Sequence, residues 1–150
     1  MSQVSRSTPL FVDTNAFVAV FNEDDTHHDA ATELLDGIGA GEYAYGPLYT
    51  SRYVLSETAT TLLYGVGHAE AVEAVATVRD SSSINLIDVD PHRFDVTVKQ
   101  FEQYDDQSIS FIDHMNATLA EEYDISHIFA FDDDFATLGL TRVPVDTGEV

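Results

Sequence analysis

Four short stretches of the chain place a carboxylate where an apolar run stops, where a helix starts or at the edge of an apolar helix face. In FVDTNAF (11–17), Asp13 follows Leu10, Phe11 and Val12, and in HIFAFDDD (127–134), Asp132 follows a second short apolar run. Glu57 stands in LSETATTLL among Ser56, Thr58, Thr60 and Thr61, and Asp113 stands in SISFIDHMNATLA three residues after Ser110. A carboxylate taken out of water costs several kcal/mol unless it is paired, hydrogen-bonded or bound to a metal. Each acid also has a plainer reading. Asp13, Thr14 or Asn15 can cap a helix starting near Ala16, Glu57 can be an ordinary exposed glutamate, and Ser110 with Asp113 can form a capping box.

Taken together, four acids brought to one crevice repel one another, and a hard divalent cation resolves that repulsion. Mg²⁺ takes oxygen ligands, keeps several waters, and is often held by one or two carboxylates plus a substrate phosphate. Such a cation polarises a phosphoryl group and lowers the pKa of a bound water so that it attacks in line. The chemistry requires neither cysteine nor histidine. The chain has no cysteine, and it lacks the Gly-x-x-x-x-Gly-Lys-Ser/Thr, His-Glu-x-x-His and Gly-x-Ser-x-Gly patterns that would point to other reactions.

The elements that must position these acids follow from periodicity. Strands are predicted at 9–13, 43–49 (interrupted by Gly46-Pro47), 84–89, 127–131 and 141–145. Helices are predicted at 16–21, 27–38 (stopped by Gly37, Gly39 and Gly41), 52–64, 69–79, 91–104, 111–123 and, as a single turn, 135–138. The 111–123 helix carries Ile112, Met115, Leu119 and Tyr123 on one stripe. Strands alternating with helices imply a three-layer α/β/α sandwich with a mostly parallel central sheet. In such a sheet, ligands sit beyond the carboxyl ends of the strands at the topological switch point. Asp13 and Asp132 end strands, so they share that crevice if the two strands are neighbours.

The 150 residues suit a single domain, 1–150, with one substantial core. No stretch approaches the ~18 consecutive apolar residues of a membrane span, and MSQVSRSTPLF lacks the apolar centre of a signal peptide, so a cytoplasmic location is expected. The charge is the anomaly: 27 acids face six basic residues, of which only Lys99 is lysine, for a formal net charge of −21. Self-repulsion of that size destabilises a compact state in dilute buffer, and at 1 M salt a Debye length of about 3 Å largely removes it. The acids are scattered, which suits a surface adapted to a salt-loaded, halophilic cytoplasm better than a DNA mimic or acidic scaffold.

Several stretches, in order, resemble the PIN-domain ribonucleases, in particular the VapC-type toxins: FVDTNAF, HDAATELL, TSRYVLSETATTLLYGVGHAEAV and DQSISFIDHMNATLAEEYDISHIFAFDDDFATLGL. The resemblance implies that Asp13, Glu57, Asp113 and Asp132 form the catalytic, metal-binding quartet. It makes Asp134 an accessory acid, turns Asp133 to solvent, and gives Asn15 and Ser110 the task of holding the quartet by hydrogen bonds. It further implies Mg²⁺ or Mn²⁺, an RNA substrate cut by metal-activated water, a homodimer, and inhibition by a small antitoxin. A basic antitoxin segment would suit the acidic crevice. Alternatives are a PIN-domain RNA-processing or decay nuclease without an antitoxin, and a catalytically silent binding module, although all four acids are present.

Other residues weigh less. His28 is read as capping or packing, and His27, His68, His92, His114 and His127 lack ligand spacing. Arg52 and Arg79 are read as surface ion-pair partners, and most of the aromatic residues as core instead of base-stacking platforms. A receiver domain would need a lysine after a late strand, whereas Lys99 falls in a predicted helix. An Asp-x-Asp-x-Thr phosphatase is excluded because Thr14 and Asn15 follow Asp13. With so few basic side chains to release counterions, activity is expected to survive, or require, molar KCl.

Overall fold

A computed structural model describes residues 7–105 and 108–150. Met1 to Arg6, within the stretch read above for a signal peptide, and Asp106 and Gln107, at the head of the fourth family-like stretch, lie outside the described residues. Five strands form one parallel sheet: β1 (Thr8–Val12), β2 (Tyr45–Ser51), β3 (Ile84–Ile87), β4 (His127–Ala130) and β5 (Thr141–Pro144), in the order β3-β2-β1-β4-β5. The helices are α1 (Thr14–Phe21), α2 (His28–Gly39), α3 (Arg52–Gly65), α4 (His68–Asp80), α5 (Pro91–Gln103), α6 (Phe111–Glu122) and the short α7 (Asp134–Thr137).

The strand order explains the layers. The connections β1→β2→β3 step one way across the sheet, and β3→β4→β5 step the other way. Because parallel crossovers are right-handed, α1 to α4 cover one face and α5 to α7 the other. The direction reverses between β1 and β4, which are hydrogen-bonded neighbours with Val12 opposite Phe129. The sheet is wholly parallel, where a mostly parallel one was expected. Leu10, Phe11, Ile128, Phe129 and Val143 are almost completely buried at its centre, as expected for strands covered on both faces.

Local chemistry sets the helix starts. Asp13, Ser51, Asp90 and Ser110 cap α1, α3, α5 and α6 with side-chain oxygens, and Pro91 opens α5. The glycine group ends α2 at Gly39, one residue past the predicted 38, and a Cβ at Gly37 would run into the Tyr43 ring. One expectation is corrected: Gly46-Pro47 does not interrupt the strand, since β2 runs through it, at the place where its register with β1 shifts between Thr8 and Leu10. A residue without an N–H is tolerated in such an irregularity.

Candidate metal-dependent nuclease site

The reversal between β1 and β4 opens a crevice of about 240 Å³ at their carboxyl ends, lined in part by Asp13, Glu57, Asp113, Asp132 and Asp134. The five acids arrive on four separate supports. Asp13 follows the last residue of β1, with its backbone N–H bonded to the Phe129 carbonyl (3.1 Å) and its carboxylate at the head of α1. Thr50, near the end of β2, donates its hydroxyl to the Val12 carbonyl (2.9 Å), tying the strand that leads to Glu57 against the strand that leads to Asp13. Glu57 stands in the second turn of α3 and is half-buried. Asp113 is in the first turn of α6, where its backbone N–H donates to Ser110 Oγ (3.3 Å). Asp132 and Asp134 flank the turn after β4, and the Asp134 N–H donates to Asp132 Oδ1 (2.9 Å).

The crowding is visible in the protonation equilibria. Burial, followed by the nearby Asp113 and Glu57 carboxylates, pushes Asp13 from the ordinary 3.8 up to about 7, against backbone N–H donors at Asn15 and Thr14. Burial, then Asp132, Asp134 and Glu57, pushes Asp113 up to about 6, with the Ser110 bond opposing. Asp134 is also raised, by desolvation first and then by Asp132. A carboxyl shifted upward by burial and like charge is one whose ionised form lacks a counter-charge, and such groups concentrate at functional sites.

The donor set fits a hard cation. Oxygens of Asp113, Asp132 and Asp134 lie within 4.8 Å of one another, close to the ~4.2 Å spanned by opposite ligands of an octahedral Mg²⁺ with ~2.1 Å bonds. Thr14 also lines the crevice, and its buried hydroxyl oxygen has no hydrogen-bond partner among the described residues. No lysine, arginine or cysteine is among the lining residues.

Several further placements differ from, or add to, the sequence reading. Asn15 is exposed, and it reaches Asp13 Oδ2 through its backbone N–H (3.3 Å), not through its amide. The side chain that grips Asp13 is Asn116, one turn along α6 from Asp113, whose Nδ2 donates to Asp13 Oδ1 at 3.1 Å in a fully buried setting. Asn116 was not singled out above. The available signal was the stretch from His114 to Ala120, which holds no charged residue and is buried throughout as part of a longer run from Asp113, so α6 carries no simple apolar stripe. Asp133 is 97% exposed and pairs with Arg142 Nη1 (2.6 Å), which also holds Asp146 (2.8 Å) and so anchors the loop bearing Asp132 and Asp134. His28 donates its Nδ1–H to the Ala19 carbonyl (2.7 Å), joining α2 to α1. Arg52 pairs with Asp88 on the surface. His114 is buried against Phe101 and Tyr104, and burial lowers its pKa.

Comparison with known proteins points the same way. The PIN-domain profile matches residues 10–139. The 23S rRNA-specific endonuclease VapC20 of Mycobacterium tuberculosis is 30% identical over 136 residues, which is 89% of this chain and 97% of the relative. The crystal structure of VapC20, described as a sarcin–ricin loop cleaving toxin, superposes with a TM-score of 0.79 at 28% identity, covering 88% of this chain and 96% of that one. VapBC2 from Rickettsia felis, bound to a DNA fragment from its promoter, superposes with a TM-score of 0.65 at 15% identity, covering 90% and 97%, a likeness of fold alone.

Proposed function

We propose, from the premise that the chain belongs to the PIN-domain family, that it is a divalent-metal-dependent endoribonuclease and the toxin of a toxin–antitoxin pair. The observation that carries this reading is the convergence of five carboxylates from four separate segments on one crevice at the switch point between β1 and β4. A crevice lined by acids, serine, threonine and amide side chains, without a base–nucleophile pair, suits hydrolysis by water better than covalent catalysis.

Asp113, Asp132 and Asp134, whose oxygens cluster, would hold Mg²⁺ or Mn²⁺ together with Asp13 across the crevice, and Glu57 would complete the acidic wall. When bound, the cation would polarise the scissile phosphoryl group and acidify a water. The chain's own contribution is orientation. Asn116 and the Asn15 N–H fix the two oxygens of Asp13, Ser110 fixes the turn that presents Asp113, and Arg142 secures the Asp132–Asp134 loop through Asp133. Burial of Asp13 and Asp113 excludes water that would otherwise screen their charge.

VapC20 acts on 23S rRNA, and structured ribosomal RNA is the substrate proposed here as well. The same reading includes a homodimer and a small antitoxin with a basic segment. Exposed apolar side chains on α3 and α4, among them Leu63, Tyr64 and Val72, offer surface for such contacts. No helix among the described residues is long and apolar enough to cross a membrane, and the net charge of −21 suits a salt-rich cytoplasm. The test is incubation with ribosomal RNA in molar KCl containing Mg²⁺, Mn²⁺ or EDTA, beside Asp113→Asn. Discrete fragments that disappear in EDTA and in the variant are expected. Folded protein that cuts nothing with either cation, or that cuts equally in EDTA, would contradict the proposal.

A further inference from the structure

One aromatic pair carries an exposed ring, apart from the apolar stripes that take most of the Tyr and Phe residues. His27 and Phe131 stack face to face, with ring centroids 4.1 Å apart and planes 3° from parallel. Phe131 immediately precedes Asp132 of the acidic crevice and is anchored edge-on against the buried Phe129 ring (6.1 Å, 68°). His27 is exposed. It occupies the N-cap position of α2, yet its side chain makes no capping hydrogen bond. Its backbone N–H is held instead by Asp25 Oδ1 at 2.8 Å. The imidazole is therefore a ring laid on an aromatic base that is joined through the chain to Asp132 of the crevice.

We propose that the His27–Phe131 stack is a nucleobase subsite, in which an unpaired base of the RNA next to the scissile phosphate stacks on the outer face of His27. This inference rests on the ribonuclease reading above. Stacking is the form of RNA affinity that fits this chain. Six basic residues against 27 acids leave little for counterion release, and molar salt screens what remains, with a Debye length of about 3 Å. A base–ring stack draws on contact and desolvation and persists under those conditions. It is tolerant of sequence, because every base has a π-face. Asp24 and Asp29, also close in sequence, would repel the RNA backbone at low salt and leave the uncharged base face as the attractive part.

The test compares wild type with His27→Ala, His27→Phe and His27→Trp on an RNA oligonucleotide that wild type cleaves, in molar KCl with Mg²⁺. Loss of one base stack is expected to raise KM roughly 5- to 100-fold in His27→Ala, with kcat and melting temperature little changed and KM restored by His27→Phe. The chain has no tryptophan, so His27→Trp combined with Asp113→Asn carries a single indole at the subsite. Its fluorescence is expected to be quenched by the oligonucleotide and not by the same strand with an abasic site near the cleavage point. An unchanged KM in His27→Ala, equal impairment of the Ala and Phe variants, or indole emission indifferent to saturating RNA would overturn the subsite while leaving the nuclease intact. Wild-type protein that cleaves no RNA would overturn the ribonuclease reading and the subsite with it.

Discussion

Replacing Asp13 with asparagine is expected to make the metal-free protein more stable while abolishing cleavage. The carboxyl is pushed from 3.8 to about 7, which corresponds to a penalty of roughly 4 kcal/mol on its charged form at about 1.4 kcal/mol per pH unit. The amide removes that penalty. It also weakens the bonds accepted from the Thr14 and Asn15 N–H groups, which offsets about 1–2 kcal/mol. The amide introduced can in turn donate towards Asn116, whose Oδ1 is buried without a partner among the described residues. A net gain of about 2–3 kcal/mol follows at pH 8, or roughly 4 to 12 °C in melting temperature for a chain of this size. The sign with pH is fixed by the direction of the shift. A carboxyl whose folded pKa is raised destabilises the native state above that pKa, and the penalty fades as pH falls through 7 towards 3.8. The variant's advantage should therefore be full at pH 8, smaller at pH 5.5 and absent near pH 4. Thermal melts in 2 M KCl with EDTA at these three pH values provide the assay. A variant less stable than wild type at pH 8, or one equally favoured at every pH, would refute the electrostatic reasoning. Adding Mg²⁺ should raise the wild-type melting temperature and leave the variant's unchanged.

Asn116→Ala removes a buried hydrogen bond to a charged group, worth about 1.5–3 kcal/mol, and should lower kcat/KM at least tenfold while the crevice acids remain, as read by RNA cleavage. Because protons compete with the cation at Asp13 and Asp113, raised to about 7 and 6, cleavage at limiting Mg²⁺ should climb steeply between pH 5.5 and 8; a flat profile would contradict the shifts. Raising KCl from 0.2 to 2 M should increase the melting temperature by many degrees, since a net charge of −21 is being screened; a salt-independent melt would count against the halophilic reading. Arg142→Met frees Asp133 and Asp146, and is expected to weaken the apparent Mg²⁺ affinity in cleavage several-fold by loosening the loop of Asp132 and Asp134.

What the sequence reveals here depends on whether a residue's partners are near it in the chain. Asp13 and Asp132 are legible because each ends an apolar strand, and the alternation of strands and helices already puts strand ends at one edge. Asp113 is legible through its local cap, Ser110. Asn116 is not, because its partner, Asp13, is 103 residues away and the helix between Asp113 and Ala120 is buried on every side. For the same reason, motif proximity misleads at Asn15: it neighbours Asp13 in sequence, but its backbone N–H makes the bond to that carboxylate. Pro47 looks like a strand break until a register shift accommodates it. The His27–Phe131 stack joins the loop after α1 to the end of β4, a juxtaposition that no local pattern encodes.

The most direct test of a carboxylate-held cation is a calorimetric titration of Mn²⁺ into wild-type protein and into the Asp13→Asn, Glu57→Gln, Asp113→Asn and Asp132→Asn variants, in molar KCl at pH 8. Saturable binding to wild type, weakened at least tenfold by the Asp13, Asp113 and Asp132 substitutions and less by that at Glu57, is the predicted result. Wild-type protein that takes up no Mn²⁺, or variants that all bind it as tightly as wild type, would contradict the assignment of the crevice as a metal site.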